Sequence, residues 1–420
     1  MGNEQDSLLE SVRVLDLTDE KGLLCSRILA DIGADVIKIE KPSGDEARSI
    51  GPFFHDVPHP EKSLFWFFHN LNKRGITLDI RTPDGQGILK KLVADADVVV
   101  ESFAPGYMDS LGLGYSSLNE LNSRLVVTSI SPFGKTGPYR DYKTSDITAT
   151  AMSGWLYLSG DPDRPPLRVG VPQAYLCAGA EAATQTMIAL HYADVTKEGQ
   201  HVDVSIQQSI IPNTLQAIPL WQLEQVTLER AGAFRVGLAS GVKQRQTWPC
   251  KDGFVNFLVY KGLTGAKTRQ GLVELMEEVG FNTDYLRNIR FERPEWGVTE
   301  PGQDDWVRIE EPIGRFFKAN SKEWLVKEGM RVQCAIVPVA SPADVSSYPQ
   351  LEAREFWLQV EHPELDTVIT YPGHFAKISP VPCRVQRRAP LIGEHNMEVY
   401  HDELGLSKEK LIMLKQAKVI

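Results

Sequence analysis

The sequence predicts an α/β fold built on a parallel sheet. Val12–Leu17 alternates in polarity like a strand, Gly22–Ile32 has the spacing of an amphipathic helix, and Asp35–Glu40 is a second strand. Gly33 and Pro42 supply the breaks that end the helix and the second strand. A strand, a helix and a strand within about 30 residues form a βαβ unit, whose two strands run parallel.

The same alternation continues along the chain. Pro83–Ala94 is typical of a helix with proline in its first turn. The first crossover lacks the Gly-x-Gly-x-x-Gly pattern, which excludes a dinucleotide-binding turn at that position. Four more segments have the composition of strands, namely Gly75–Ile80, Asp97–Glu101, Leu125–Ile130 and Val202–Ile206.

The pattern changes near Leu223, where a more charged helix is expected to begin. Trp248–Phe257 is typical of a β-hairpin, Ala335–Val339 starts a further unit, and Lys408–Lys418 is expected to be the last helix. We therefore predict a large domain over residues 1–222, a smaller α/β domain over 223–335, and a return to the large domain over 336–420.

Composition and charge restrict the classes of partner. The chain is 42% hydrophobic, and its net charge of −10 argues against non-specific binding of nucleic acid. No apolar run approaches membrane-spanning length, and the five cysteines are widely spaced without a Cys-x-x-Cys pair. These features predict reduced thiols in the cytoplasm, with neither nucleic acid nor a membrane as partner.

Val169–Gly179 is the strongest candidate for a catalytic segment. Two glycines bracket it and allow close approach of the backbone, and a helical run follows over Ala180–Tyr192. A side chain in its centre is expected to project from a loop toward a helix N-terminus, where catalytic groups are often presented. The central residue is Tyr175.

Further motifs lie next to predicted strands. Lys73 and Arg74 are adjacent cations able to meet phosphates, although a solvated turn is the simpler interpretation of the pair alone. Glu101–Gly106 follows a strand at the edge where open α/β sheets bind ligands, and is otherwise an ordinary connection. Phe133–Tyr139 is a glycine-rich turn too short for a P-loop, and His395 is expected to anchor the C-terminal tail.

Taken together and in order, such segments resemble family III CoA-transferases, which include formyl-CoA, carnitine and benzylsuccinate CoA-transferases and the α-methylacyl-CoA racemases. The resemblance implies two ring-like chains that interlock as a dimer, with CoA on a Rossmann-like large domain. It also implies no tightly bound cofactor, the CoA thioester being a substrate. The matching segments are Asp16–Thr18, Leu29–Pro42, Gly44–Arg48, Asn72–Arg74, Glu101–Gly106, Leu111–Tyr115, Phe133–Tyr139, Val169–Pro172, Gly199–Gln200 with Val202–Val204, and Ala389–Asn396.

The resemblance further implies which residues contact CoA. Lys41 would lie against the adenine, and other cations are needed because CoA carries phosphate groups. No metal ligand is expected. The CoA-binding candidates are Lys41, Lys73, Arg74, Arg81, Phe103 and Lys143.

The residue that the family uses as its nucleophile is missing. In active members an aspartate at the position of Tyr175 attacks a thioester, forms an anhydride and then carries CoA as an aspartyl thioester. A phenol, whose pKa in solution is about 10, forms no anhydride, and Val169–Ala180 contains no acid in its place. Asp19–Gly22 is a shortened form of the family's loop, Ser102 replaces an asparagine, and Ser145 replaces the racemases' histidine.

Three functions remain open. Our leading hypothesis is a catalytically silent subunit of a CoA-transferase that moves CoA from a donor such as succinyl-CoA to an acid such as benzylsuccinate. Its partner would be a homologous catalytic subunit, in an interlocked heterodimer or heterotetramer. The second is an acyl-CoA isomerase, lyase or racemase that uses Tyr175 or Asp146 as an acid–base group. The third is a CoA-binding scaffold.

Overall fold

The computed structural model describes residues 7–237, 241–259, 265–288, 302–379, 383 and 385–420. These residues form two compact units. One comprises the described parts of Met1–Leu156, Arg168–Val226 and Leu351–Ile420, and the other comprises those of Tyr157–Leu167 and Thr227–Gln350. The domain limits that we set at residues 222 and 335 stay a prediction.

The first unit is built around a parallel sheet, which confirms the predicted α/β class. Its strands are β1 Arg13–Leu17, β2 Asp35–Glu40, β3 Arg74–Thr77, β4 Val98–Glu101, β5 Val126–Ser131 and β6 His201–Ser205. They lie in the order β3-β2-β1-β4-β5-β6, and each neighbouring pair is parallel. This is the doubly wound order, in which the direction of strand addition reverses between β1 and β4.

Helices pack on both faces of the sheet, because two apolar cores lie on its opposite sides. The helices predicted near residues 22–32, 83–94 and 408–418 are confirmed, whereas the helix expected to begin at Leu223 instead ends at Glu224. In chain order the helices are α1 Leu23–Asp31, α2 Leu64–His69, α3 Pro83–Ala94, α4 Tyr107–Ser110, α5 Tyr115–Asn119, α6 Asp146–Met152, α7 Gln173–Thr196, α8 Ile206–Ile210, α9 Ala217–Glu224, α10 Ala266–Glu278, α11 Asp284–Asn288, α12 Gln303–Ala319, α13 Lys322–Arg331, α14 Pro342–Ser346, α15 Pro349–Ala353 and α16 Lys408–Gln416.

The remaining strands are antiparallel. The predicted hairpin is confirmed, and its second strand also pairs with a strand that begins at Val337. In the part of the chain that the structure describes, no helix has both the length and the apolar content needed to cross a membrane. These strands are β7 Phe234–Val236, β8 Lys243–Arg245, β9 Thr247–Cys250, β10 Gly253–Asn256, β11 Val337–Val339, β12 Trp357–His362 and β13 Thr367–Pro372.

The C-terminal segment covers the open edge of β3. The Gly75 N–H donates to His395 Nδ1 at 3.0 Å, and the Thr77 N–H donates to Asn396 Oδ1 at 2.9 Å. The Tyr400 hydroxyl donates to the carbonyl of Thr77 at 2.7 Å. Side chains therefore satisfy backbone groups that an edge strand otherwise leaves unpaired. His395 anchors the tail, as the sequence predicted.

A buried carboxylate, that of Asp16 on β1, ties three strands together. Its Oδ2 lies 2.9 Å from Lys73 Nζ, at the start of β3, and its Oδ1 lies 3.9 Å from Lys38 Nζ on β2. Thr18 donates to Asp16 through its N–H and its hydroxyl, at 2.9 and 2.6 Å. Burial by itself raises the pKa of Asp16, but the two lysines and the hydroxyls of Ser26 and Thr18 hold it well below its usual range. The ionised carboxylate therefore fixes the conformation of the chain where it leaves β1.

Replacing Asp16 with asparagine should destabilise the first unit strongly. Lys73 is fully buried, and without Asp16 its ammonium group is left, among the described residues, with the neutral acceptors Leu23 O and Asn70 Oδ1. Lys38 keeps Asp45 at 3.3 Å, so the uncompensated buried charge is that of Lys73. Loss of one partner of a buried ion pair costs about 3–5 kcal/mol of unfolding free energy. Urea denaturation of the purified protein measures this loss.

The control is Asp84→Asn, which removes the partner of Lys410 in an exposed ion pair of 3.4 Å. An exposed pair contributes less than about 1 kcal/mol. Equal losses in the two variants would contradict the structural role that we assign to Asp16.

Candidate functional site

A cavity of about 200 Å³ lies at the carboxyl ends of β1–β4. The reversal of strand order between β1 and β4 creates a crevice at this edge, and ligands of open α/β sheets bind in such crevices. Segments that follow each of these four strands contribute to it. The lining consists of Leu17–Asp19, Ile39–Lys41, Asp45, Glu46, Leu78–Arg81, Ser102, Phe103 and Tyr107.

Ser102 joins the two loops on either side of the crevice. The Asp19 N–H donates to Ser102 Oγ at 2.8 Å, and the Ser102 hydroxyl donates to Asp19 Oδ1 at 2.7 Å. The other carboxylate oxygen of Asp19 pairs with Lys21. These contacts hold the shortened loop after β1 against the start of the loop after β4.

Three of the predicted CoA-binding residues, Lys41, Arg81 and Phe103, line this cavity together. Lys41 Nζ lies 3.1 Å from Glu46 Oε1. The guanidinium of Arg81 binds both carboxylate oxygens of Asp79, at 2.8 and 2.7 Å. The ring of Phe103 packs 4.9 Å from that of Tyr107, measured between centroids. The cavity therefore offers cations and an aromatic wall.

The other three candidates lie outside the cavity lining. Lys73 is fully buried and binds Asp16, and burial lowers its pKa to about 8. Arg74 starts β3, at the end of that strand opposite to the cavity, and pairs with Asp35 at 2.6 Å. Lys143 is exposed. Lys41, Arg81 and Phe103 therefore share one cavity, and their contacts with CoA stay a prediction. Lys73 and Arg74 pair with carboxylates of the framework.

Tyr175 lies in the first turn of α7 and not, as expected, in a loop. The helix begins at Gln173, seven residues before the expected start at Ala180. Gly179, which suggested a helix boundary, instead lies inside α7 and packs against α1. A Cβ added at this position would lie only 2.8 Å from the Cβ of Leu24 on α1. Gly179 therefore lets two helices approach closely.

The phenol of Tyr175 is neutral in its surroundings. The side chain is half-buried against the core on one face of the sheet. Burial raises its pKa, and the nearby carboxylates of Glu20, Asp146 and Asp19 raise it further. Glu20 and Asp19 belong to the loop after β1, and Asp19 also lines the cavity. Tyr175 thus stands beside the crevice as an uncharged group.

Comparison with known proteins agrees with this geometry. The sequence profile of CoA-transferase family III matches residues 9–396. This chain belongs to that family. Subunit BbsE of succinyl-CoA:(R)-benzylsuccinate CoA-transferase from Thauera aromatica is 36% identical, over 92% of each chain. Succinyl-CoA–D-citramalate CoA-transferase from Chloroflexus aurantiacus is 32% identical, over 98% of each. A CAIB/BAIF family protein from Brucella suis, solved by crystallography, superposes with a TM-score of 0.79 at 26% identity, over 95% of this chain and all of the other.

Sequence reasoning about this family III CoA-transferase missed most of the cavity's carboxylates. Asp45, Glu46 and Asp79 line the cavity but are not among the residues that the sequence singles out. Asp19 also lines it, and the sequence identifies that residue only as part of a shortened loop. Their position just after β1, β2 and β3 was the available signal, because ligands approach that edge of the sheet. Their pairing with Lys41 and Arg81 became visible only in three dimensions.

Asp146 provides the cap of α7. Its Oδ1 accepts a hydrogen bond from the Ala174 N–H at 2.8 Å, and Arg168 Nε lies 3.9 Å from its Oδ2. Pro172, the residue just before α7, has no side chain that caps the helix. A carboxylate at a helix N-terminus satisfies an otherwise unpaired N–H and is stabilised by the helix dipole. Asp146 therefore orients the turn that carries Tyr175.

Replacing Asp146 with alanine should lower the free energy of unfolding by about 1–2 kcal/mol, because the first turn of α7 loses its cap. Asp146→Asn keeps an oxygen acceptor and should lose less than half of that amount. Urea denaturation of both variants measures the difference. Equal losses would mean that the charge near Arg168, and not the cap, accounts for the role of Asp146.

Proposed function

We propose that this chain is the non-catalytic subunit of a heteromeric family III CoA-transferase. A homologous subunit would supply the nucleophilic aspartate and complete the enzyme as an interlocked heterodimer or heterotetramer. The observation that carries the proposal is the neutral phenol of Tyr175 at the start of α7, beside a cavity that Lys41, Arg81 and Phe103 line. A phenol forms neither the anhydride nor the CoA thioester that the covalent route needs.

Exposed apolar helices support the presence of a partner. No residue of α9 is buried, although most of its residues are apolar. Trp221 is 48% exposed and Leu223 is 80% exposed on this helix. On α7, Ile188, Tyr192 and Val195 are also exposed, at a spacing that places them on one side of the helix. Contiguous apolar surface of this kind marks an interface between proteins.

The substrates follow by analogy with relatives. The 36% identical relative is named as a subunit of an enzyme that uses succinyl-CoA and (R)-benzylsuccinate, and a malate CoA-transferase relative from Chloroflexus aurantiacus is named as a beta subunit. We propose a succinyl-CoA donor and an aromatic dicarboxylic acceptor for the complex. All five cysteines are free thiols, which supports a reducing, cytoplasmic setting.

The alternative of an acid–base enzyme on the same fold has less support. Asp146 already caps α7, and burial raises the pKa of Tyr175 above that of an ordinary phenol. Both groups are therefore poorly placed to abstract a proton near neutral pH.

Tyr175→Phe should leave CoA transfer by the complex within about 2-fold of the unmodified rate, because the hydroxyl takes no part in covalent chemistry. Tyr175→Asp should place a covalent CoA adduct on this chain. The adduct should increase when Glu20→Gln is added, since Glu20 raises the pKa of any carboxyl introduced beside it. Mass spectrometry after borohydride or hydroxylamine trapping identifies the chain that carries the adduct.

The control is the complex whose catalytic subunit lacks its aspartate, with this chain unmodified. It should show neither turnover nor an adduct. An adduct on the unmodified chain, or a large loss of rate in Tyr175→Phe, would overturn the non-catalytic assignment.

Trp221→Asp and Leu223→Asp should weaken association with the partner at least tenfold, because each places a charge at an apolar contact. Co-expression with a tagged homologous subunit, followed by mass photometry over a dilution series, measures the association. Ile412→Asp on α16 is the matched control, since that residue is 59% exposed and lies outside α7 and α9. Unchanged assembly of both α9 variants would exclude this helix from the interface.

A further inference from the structure

The cavity is acidic, although its expected ligand is an anion. Its described lining contains two cations, Lys41 and Arg81, against five carboxylates. CoA carries phosphate groups, and phosphates bind where free donors and positive charge converge. A cavity of this composition does not attract such a ligand by charge alone. The carboxylates are Asp19, Glu40, Asp45, Glu46 and Asp79.

Both cations are already occupied by carboxylates of the same lining. Lys41 Nζ lies 3.1 Å from Glu46 Oε1. Arg81 Nε and Nη2 donate to the two oxygens of Asp79, at 2.8 and 2.7 Å, in the fork arrangement that a phosphate also uses. The guanidinium of Arg81 lowers the pKa of Asp79, so this carboxylate is ionised at neutral pH.

The other three carboxylates bind cations outside the lining. Glu40 accepts from Arg48 at 2.6 and 2.8 Å, and Asp45 lies 3.3 Å from Lys38. Asp19 pairs with Lys21. Lys38 and Arg48 are buried, so they are unable to turn toward a ligand. Among the described residues, only the pairs made by Glu46 and Asp79 involve cations that line the cavity.

We propose that Glu46 and Asp79 compete with the phosphate groups of CoA for Lys41 and Arg81. They determine the affinity of this chain's own cavity for CoA, keep that affinity low, and so leave the partner's site as the main one for CoA. The proposal rests on the proposed function for the identity of the ligand. It assigns specificity to two carboxylates that sequence reasoning did not single out.

Isothermal titration of the full chain with CoA, dephospho-CoA and pantetheine tests the proposal. Glu46→Gln and Asp79→Asn should each tighten CoA binding by about 3- to 10-fold, since exposed ion pairs make modest contributions. The gain should shrink as salt is raised, because the released charges are screened. Pantetheine, which has no phosphate, should bind all variants equally.

Two controls isolate the effect. Glu355→Gln removes a carboxylate from an ion pair of the same length, 3.1 Å to Lys377 and similarly exposed, away from the cavity, and should leave CoA binding unchanged. Lys41→Ala added to Glu46→Gln should abolish the gain, because no cation is then released.

Unchanged CoA affinity in both carboxylate variants, or CoA binding that is undetectable in every variant, would overturn the proposal. So would an equal gain for pantetheine, since that ligand has no phosphate to compete with. Transfer of CoA by the complex assembled from the same preparations reports separately on the proposed function. A complex that transfers CoA while the affinities stay unchanged would refute the competition and leave the subunit assignment intact.

Discussion

The buried carboxylate of Asp16 is the interaction on which the architecture of this site depends. It holds Lys73, at the start of β3, and Lys38, on β2, against β1, and it accepts two hydrogen bonds from Thr18 where β1 ends. Charges in an interior are tolerated only when they are paired and hydrogen-bonded. This requirement fixes how far β1, β2 and β3 are shifted along one another. It also fixes the direction in which the chain leaves β1. The crevice beside β4 follows from that direction.

Charge around the cavity is balanced within the chain itself. Lys41 and Arg81, which face the cavity, bind Glu46 and Asp79, while Glu40 and Asp45 are satisfied by buried cations behind the lining. A preserved fold therefore does not by itself preserve affinity for CoA. The fold keeps the shape of the site, because shape comes from strand order and packing, whereas affinity depends on which donors remain free.

The geometry of the first turn of α7 does not depend on the side chain of Tyr175. Asp146 caps the helix, and Gly179 permits its close contact with α1, so the first turn is held in place whatever residue occupies position 175. Tyr175 places a half-buried neutral phenol there. In the complex that we propose, this chain would contribute surface and support while another chain performs the covalent steps.

By itself, the sequence determined the α/β class, the approximate positions of the strands of the parallel sheet, and the family. Alternating polarity and turn residues are local signals, and Val98–Glu101 or Asp35–Glu40 needs no distant partner to be predicted as a strand. It also indicated that Tyr175 is unable to form the anhydride of the family's covalent route, because that conclusion depends on residue type alone. Lys41, Arg81 and Phe103, which the resemblance implied as CoA contacts, line one cavity, and their binding of CoA stays a prediction.

Only the tertiary structure decided which cations face the cavity. Lys73 and Arg74 are as basic as Lys41, yet their charges are consumed by Asp16 and Asp35, which lie far away in the sequence. The course of α7 likewise became clear only from packing. The sequence suggests a helix boundary at Gly179, but this glycine lies within α7 and allows α1 to approach closely. Burial and ion pairing are properties of neighbours in space, and these determine whether a charged residue binds a ligand or supports the fold.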